Sequence, residues 1–168
     1  MSTSNGSVQA SEQTVKKEEK APSFMVPIFK LPILLYRLKL GWLLGNRFMQ
    51  LTHIGRHSGK VRQTILAVLL FNSKTQEILA VSAWKDSDWY YNIQASPALQ
   101  VESGRVRYVP QQRTLSPEEI ATAFVEYCKR NPIFSRIICR IPGWKWDSSY
   151  EEFLELARTL RGVAFRPQ

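Results

Sequence analysis

Phe48-Met-Gln-Leu-Thr-His-Ile-Gly-Arg-His-Ser-Gly-Lys-Val-Arg-Gln-Thr-Ile-Leu-Ala-Val-Leu-Leu-Phe71 is the stretch that decides how this chain folds. Two apolar runs with a strand-like period, Phe48–His53 and Thr64–Phe71, flank Gly55-Arg-His-Ser-Gly-Lys-Val-Arg62. In that middle segment Gly55 and Gly59 bracket Ser58, and Arg56, Lys60 and Arg62 sit within seven positions. Glycines allow backbone N–H groups to turn toward a ligand, the three cations supply countercharge, and the Ser58 hydroxyl can donate. The pattern is that of a cradle for phosphate or carboxylate, although a short basic turn can also be merely solvated. Because the loop joins two strands and opens no helix, a Walker or Rossmann phosphate loop is excluded.

Downstream, a turn at Asn72–Thr75 leads into a third strand, Glu77–Ser82. Asp86–Ala95 starts with three candidate caps, Asp86, Ser87 and Asp88, and stops at Ser96-Pro97, which predicts one short helix lying across the sheet. Strands Ala98–Glu102 and Val106–Arg113 follow, joined by the tight turn Ser103-Gly104-Arg105. Ser116-Pro-Glu-Glu has the capping-box pattern, with Ser116 at the cap, Pro117 in the first turn and Glu119 reaching back, and predicts a helix to about Arg130. Asn131-Pro132 begins a second helix ending near Pro142-Gly143, Ser149–Leu160 forms a third, and Val163–Arg166 is a final strand. Strands grouped first and helices added later indicate an α+β fold, a nearly complete barrel of mostly antiparallel strands.

With 168 residues, 44% of them hydrophobic, the chain has the material for one core. Residues 1–26 are expected to form a disordered tail and 27–168 a single domain. The first 23 residues lack the apolar segment of a secretory signal, so the expected location is the cytoplasm. Residues 32–45 read as a short, very apolar N-terminal helix with Pro32 at its start and Gly45-Asn46 as a stop. It is interrupted by Arg37 and Lys39 and is shorter than the roughly 20 apolar residues a bilayer span requires. Carrying Tyr36, Trp42 and Arg47, it suits either the open end of the sheet or a peripheral position on an anionic lipid surface.

Charge is unevenly placed. Residues 21–76 hold eight Lys or Arg and no Asp or Glu, whereas the 92 residues after them hold twelve cations against eleven acids. The basic field therefore belongs to the segment with the loop, and it attracts anionic cofactors, acidic lipid surfaces or nucleic acid, among which charge by itself does not choose. No nucleic-acid partner is expected, since the cations accompany no aromatic stacking platform. Cys128 and Cys139 lack ligand-spaced partners and read as buried thiols; His53 and His57 are separated by turn-prone Gly55, so no metal site is expected.

Taken together, Leu51-Thr-His-Ile-Gly-Arg-His-Ser-Gly-Lys-Val-Arg62, Val81-Ser-Ala-Trp84, Ser87-Asp-Trp-Tyr-Tyr-Asn-Ile93, Gln94-Ala-Ser-Pro-Ala-Leu-Gln-Val101 and the closing Arg166-Pro167 resemble the deazaflavin-dependent nitroreductase and quinone reductase family. That resemblance covers about residues 31–168 and implies a split β-barrel of the FMN-binding type that uses coenzyme F420. It implies that Arg56, His57, Ser58 and Arg62 hold the phosphate and oligoglutamate tail with Lys60 close by, and that Gln63, Thr64, Ile65 and Leu66 run along the cofactor by backbone contacts. Val81, Ser82, Ala83 and Trp84 match the strand end near the deazaflavin ring; Trp89, Tyr90, Tyr91 and Asn92 match the short helix over the tail, and Gln50 matches another wall position. For Trp89 and Ile93, four apart on that helix, ordinary packing onto the barrel is the simpler expectation. His57 and Ala83 stand where the family often has Lys, and Ala67 where quinone-reducing members have Tyr, which points to a different substrate pocket.

The implied activity is hydride transfer from reduced F420 to a lipophilic acceptor: a quinone, an enone or a nitroaromatic compound. Such transfer needs positioning and exclusion of water more than side-chain chemistry, with Tyr90 or Tyr91 as candidate proton donors. An FMN- or haem-binding relative and a non-enzymatic lipid or fatty-acid carrier are the alternatives. The chain is expected to be a monomer or a homodimer.

Overall fold

The computed structural model describes residues 34, 35, 38, 41–82, 86–140, 143–145 and 147–168. Seven strands are present: β1 (Phe48–Ile54), β2 (Val61–Asn72), β3 (Glu77–Ser82), β4 (Gln100–Ser103), β5 (Val106–Tyr108), β6 (Pro110–Thr114) and β7 (Arg161–Pro167). They form one sheet in the order β5-β4-β1-β2-β3-β7-β6, with every pairing antiparallel. The helices are α1 (Asp88–Ala95), α2 (Pro117–Arg130), α3 (Pro132–Arg140) and α4 (Tyr150–Thr159), and a short 3-10 segment, Gly41–Arg47, precedes β1.

Period-two alternation splits the sheet into two faces. Opposed pairs such as Met49↔Leu66, Leu51↔Val101, Ala80↔Val163 and Ile78↔Phe165 point into the barrel, where Trp89 and Ile93 of α1 complete the core. Packing of Trp89 and Ile93 onto the barrel is thus as the sequence suggests. The other face of β2, β3 and β7 presents Leu69, Leu79 and Ala164 to Ile120, Ala121 and Phe124 of α2 and to Phe153 and Ala157 of α4. Both of these helices begin with a reciprocal capping box, Ser116 with Glu119 and Ser149 with Glu152.

Closure of the barrel departs from the sequence expectation. Val106–Arg113, read as one strand, is two: β5 pairs with β4 and β6 pairs with β7, at opposite edges of the sheet. Only Val109 separates them, so one bent segment joins the two edges. Pro110 has no N–H to continue a ladder, which suits the residue after the bend. β2 also starts at Val61, three residues before the expected Thr64, because its pairing with β1 continues up to Ile54↔Val61. Cys139 is buried as expected, whereas Cys128 is only half-buried.

The tail 1–26 and residues 32, 33, 36, 37, 39 and 40 of the helix expected at 32–45 lie outside the described residues. Within it, Leu34 and Leu35 are helical, and Gly45, at φ 57°, and Asn46 break the 3-10 segment where a stop is expected. Among the described residues no helix is long and apolar enough to cross a membrane.

Phe153 stacks on Phe124 with ring centroids 5.4 Å apart and planes 4° from parallel, at the centre of the helical layer. Phe153→Ala should lower the unfolding free energy by about 3–5 kcal/mol, read as a lower urea midpoint at unchanged slope.

Candidate functional site

The loop between β1 and β2 closes on itself. The Gly55 N–H donates to the Lys60 carbonyl at 2.9 Å, and the Ser58 and Gly59 N–H groups both donate to the Gly55 carbonyl, at 3.1 and 2.8 Å. The Lys60 N–H donates to Ser58 Oγ at 3.4 Å. Gly59 takes a φ of 64°, left-handed backbone that glycine adopts without strain. Gly55 is needed for a different reason: a Cβ there would lie 2.8 Å from Ser58 Oγ and 2.9 Å from Arg62 Nε. Its bare backbone lets Arg62 lie across the loop. The loop therefore spends the N–H groups of Gly55, Ser58, Gly59 and Lys60 on itself, so at these four positions the backbone does not face a ligand.

Arg56 is set by α1. Its Nη1 donates to Asp88 Oδ1 at 2.9 Å, to the Asp88 carbonyl at 3.3 Å and to Asn92 Oδ1 at 3.2 Å. Its guanidinium also stands over the Tyr91 ring, 5.3 Å from the centroid. The Arg56 backbone N–H donates to the same Asn92 Oδ1 at 2.9 Å. Since that N–H can only donate, the amide of Asn92 is oriented with its nitrogen inward, 3.3 Å from His53 Nδ1. Nδ1 must then accept, so the proton sits on Nε2, which donates to Thr64 Oγ1 at 3.0 Å. A chain of polar contacts thus runs from the exposed loop through buried Asn92 and His53 into the barrel. At its other end α1 is held by Gln112, whose Nε2 donates to the Ile93 carbonyl at 2.7 Å while its Oε1 accepts from the Ala98 N–H at 2.9 Å.

The structure brings Arg56, Tyr91 and Asn92 together at the barrel mouth, with Ser58 and Arg62 alongside across Gly55. His57, Lys60, Arg62 and Gln63 are exposed. Thr64 and Leu66 share the inward face with His53, whereas Gln50, Gln63 and Ile65 lie on the opposite face. Val81 packs toward the helices, and Ser82, buried, donates to the Ser87 hydroxyl at the start of α1. Trp89 is in the core and Tyr90 packs edge-on against both Trp89 and Tyr91. Ala83 and Trp84 lie outside the described residues. Two participants escape the sequence reading: Asp88, taken there only as a helix cap, and His53, considered only for metal. His53 was legible in the strand alternation, which places it inward after Met49 and Leu51.

A model of the F420H(2)-dependent quinone reductase family matches residues 35–135, well over half of the chain. The chain belongs to this family. Membership makes it an oxidoreductase with F420 as its cofactor. Among solved structures, an F420-H2 dependent reductase, FDR-A, is 20% identical, covering 73% of this chain and 96% of its own with a TM-score of 0.48. Rv2991 from Mycobacterium tuberculosis, described as a conserved hypothetical protein, is 14% identical over 78% of this chain and 79% of its own, with a TM-score of 0.49. A pyridoxamine 5'-phosphate oxidase-related, FMN-binding protein from Nostoc punctiforme is 13% identical over 87% and 81%, with a TM-score of 0.42. These likenesses are weak, and the family assignment stands on the matched segment alone. Comparison with curated proteins found no match.

F420 fits the donor set at this mouth. A cofactor with a phosphate and carboxylate tail needs cations at the surface, and the loop offers Arg56, Lys60 and Arg62, of which Arg56 is paired with Asp88. Among the described residues no group of three or more His, Cys, Asp or Glu side chains could hold a metal.

Burial, first of all, holds the His53 pKa below its ordinary 6.5; the Ile54 carbonyl opposes this, Arg62 adds to it, and Asp88 opposes it. The folded chain thus takes up a proton less readily than the unfolded one, so stability is undiminished above pH 6.5 and falls as pH drops below it. The Tm should decline as the pH is lowered below 6.5, and His53→Gln should flatten that decline. Parallel curves for the two proteins would assign the effect to other groups.

Proposed function

We propose that the protein reduces a lipophilic acceptor at the expense of reduced F420, with a quinone as the primary acceptor and enones and nitroaromatics as further ones. Arg56, His57, Ser58, Lys60 and Arg62 hold the cofactor tail, and the polar chain behind Arg56 carries this reading: Asn92 and Asp88 orient its guanidinium before any ligand arrives. When bound, reduced F420 supplies the hydride. Gln63, Thr64, Ile65 and Leu66 border the cofactor through their backbone, with Gln50, Val81, Ser82, Ala83, Trp84 and Trp89 as further wall positions. Tyr90 and Tyr91, adjacent rings beside Arg56, shield the mouth from water and are the candidate proton donors. FMN is the second-choice cofactor for this barrel.

The exposed leucines Leu34, Leu38 and Leu43 support a peripheral position on the cytoplasmic face of a membrane, where lipophilic acceptors are dissolved.

Equilibrium binding of F420, FMN and FAD decides the reading. Wild type should bind F420 selectively and less tightly as salt is raised, and Arg56→Ala combined with Arg62→Ala should weaken binding by roughly a hundredfold. Unchanged affinity in the double variant would place the tail elsewhere.

Asp88 competes with an incoming anion for Arg56, but its carboxylate is 81% exposed, so the competition is screened. Asp88→Asn should therefore tighten F420 binding only about two- to fivefold at low salt, measured by the same titration.

A further inference from the structure

Helix α3 turns the wrong side chains toward water. Along Pro132–Arg140 the positions Ile133, Arg136, Ile137 and Arg140 follow the spacing of one helical face, and all four are exposed, the isoleucines at 77% and 45%. The opposite face buries Ser135 and Cys139, both at 0% exposure. Phe134 packs against the helical layer on the inner side, yet a helix stabilised by its own fold alone does not also leave two isoleucines on its water face. Apolar residues at helical spacing, flanked by fixed cations with long apolar stems, suit a helix lying in a lipid–water interface.

The surroundings of α3 have matching charge. Residues 127–146 hold Lys129, Arg130, Arg136, Arg140 and Lys145 and no Asp or Glu. Phe134 of α3 meets Phe48 edge-on, with centroids 6.2 Å apart, and lies under the Arg47 guanidinium at 5.5 Å, which brings the 3-10 segment with exposed Leu43 beside the helix. Next to the start of α3 opens a cavity of about 210 Å³ whose polar lining is Asn46, Arg47, Tyr127, Arg130 and Asn131. Arg130 is shared with Glu126 one turn earlier, while Arg47 and the two carboxamides give the cavity donors for an anionic oxygen.

We propose that α3 docks the protein on an anionic lipid surface, with Ile133 and Ile137 entering the acyl boundary and a phosphate headgroup seated at Arg47 and Arg130. The inference rests on the peripheral membrane contact proposed above and adds a second, C-terminal element to it. A second copy of the chain is the competing occupant. A two-fold contact through this face would bring Arg136 and Arg140 against their own counterparts, with no acid on the helix to offset them.

Co-sedimentation of the full chain with vesicles tests the proposal. Wild type should bind phosphatidylcholine vesicles containing roughly 30 mol% phosphatidylglycerol, should not bind phosphatidylcholine alone, and should be released by salt. Ile133→Ser combined with Ile137→Ser should cut partitioning about tenfold, and Arg47→Gln combined with Arg130→Gln should abolish the preference for the anionic lipid. F420 affinity in solution should be the same in both double variants as in wild type, which certifies the fold. Equal vesicle binding by wild type and the serine variant, no vesicle binding by wild type, or a wild-type dimer that the serine variant dissolves would each overturn the docking surface. Vesicle binding that behaves as expected in a protein without F420 affinity would support the surface while sinking the cofactor reading.

Discussion

The carboxamide of Asn92 is the contact on which the mouth of the barrel depends. Its oxygen accepts from both the backbone and the guanidinium of Arg56, and its nitrogen faces His53. One side chain thus holds a surface cation, orients it against Asp88 and Tyr91, and selects the tautomer of a buried imidazole. Each partner is satisfied only while the others stay in place, because a buried donor or acceptor left without a partner costs about 1–3 kcal/mol. The loop Gly55–Lys60 could not do this alone, since the N–H groups of Gly55, Ser58, Gly59 and Lys60 are committed to its own turn.

That contact in turn requires α1 to lie where it does. Trp89 and Ile93 anchor the helix in the barrel core, and Gln112 fastens its C-terminal end. Gln112 stands on β6, which reaches this position only because the chain bends at Val109 and leaves β4 for β7. Tyr108, just before the bend, donates its hydroxyl to the Gln76 and Phe165 carbonyls, at 2.8 and 3.1 Å, tying the β2–β3 turn to β7; burial raises its pKa. Closure of the sheet and the orientation of Arg56 are therefore linked mechanically, through one helix pinned at both ends.

The helical layer and the barrel mouth divide the labour. Helices α2 and α4 cover β2, β3 and β7 with apolar side chains, which leaves the mouth free to carry charge. Helix α3 joins that layer through Phe134 but leaves Ile133 and Ile137 on the outside. The molecule thus carries both a cation-rich loop and a basic helix with two exposed isoleucines.

Much of this was legible in residue order. Strand alternation, the Gly-rich basic loop, the Ser116 capping box and the glycine turn at Gly104 are local signals, each expressed within a few residues through backbone geometry or hydrophobic period, and the folded chain keeps them. The bend at Val109 was not legible, because a strand that changes partners looks in sequence like a strand that does not; only the two edges it joins reveal it. Nor was the network of His53, Asn92, Arg56 and Asp88, whose members come from a strand, a loop and a helix up to 39 positions apart. Sequence by itself determined the elements other than the split of Val106–Arg113, the family and the place of positive charge, since these depend on short-range pattern and composition. Tertiary structure alone decided which groups face one another, because hydrogen bonds between distant segments exist only once the core has brought those segments together.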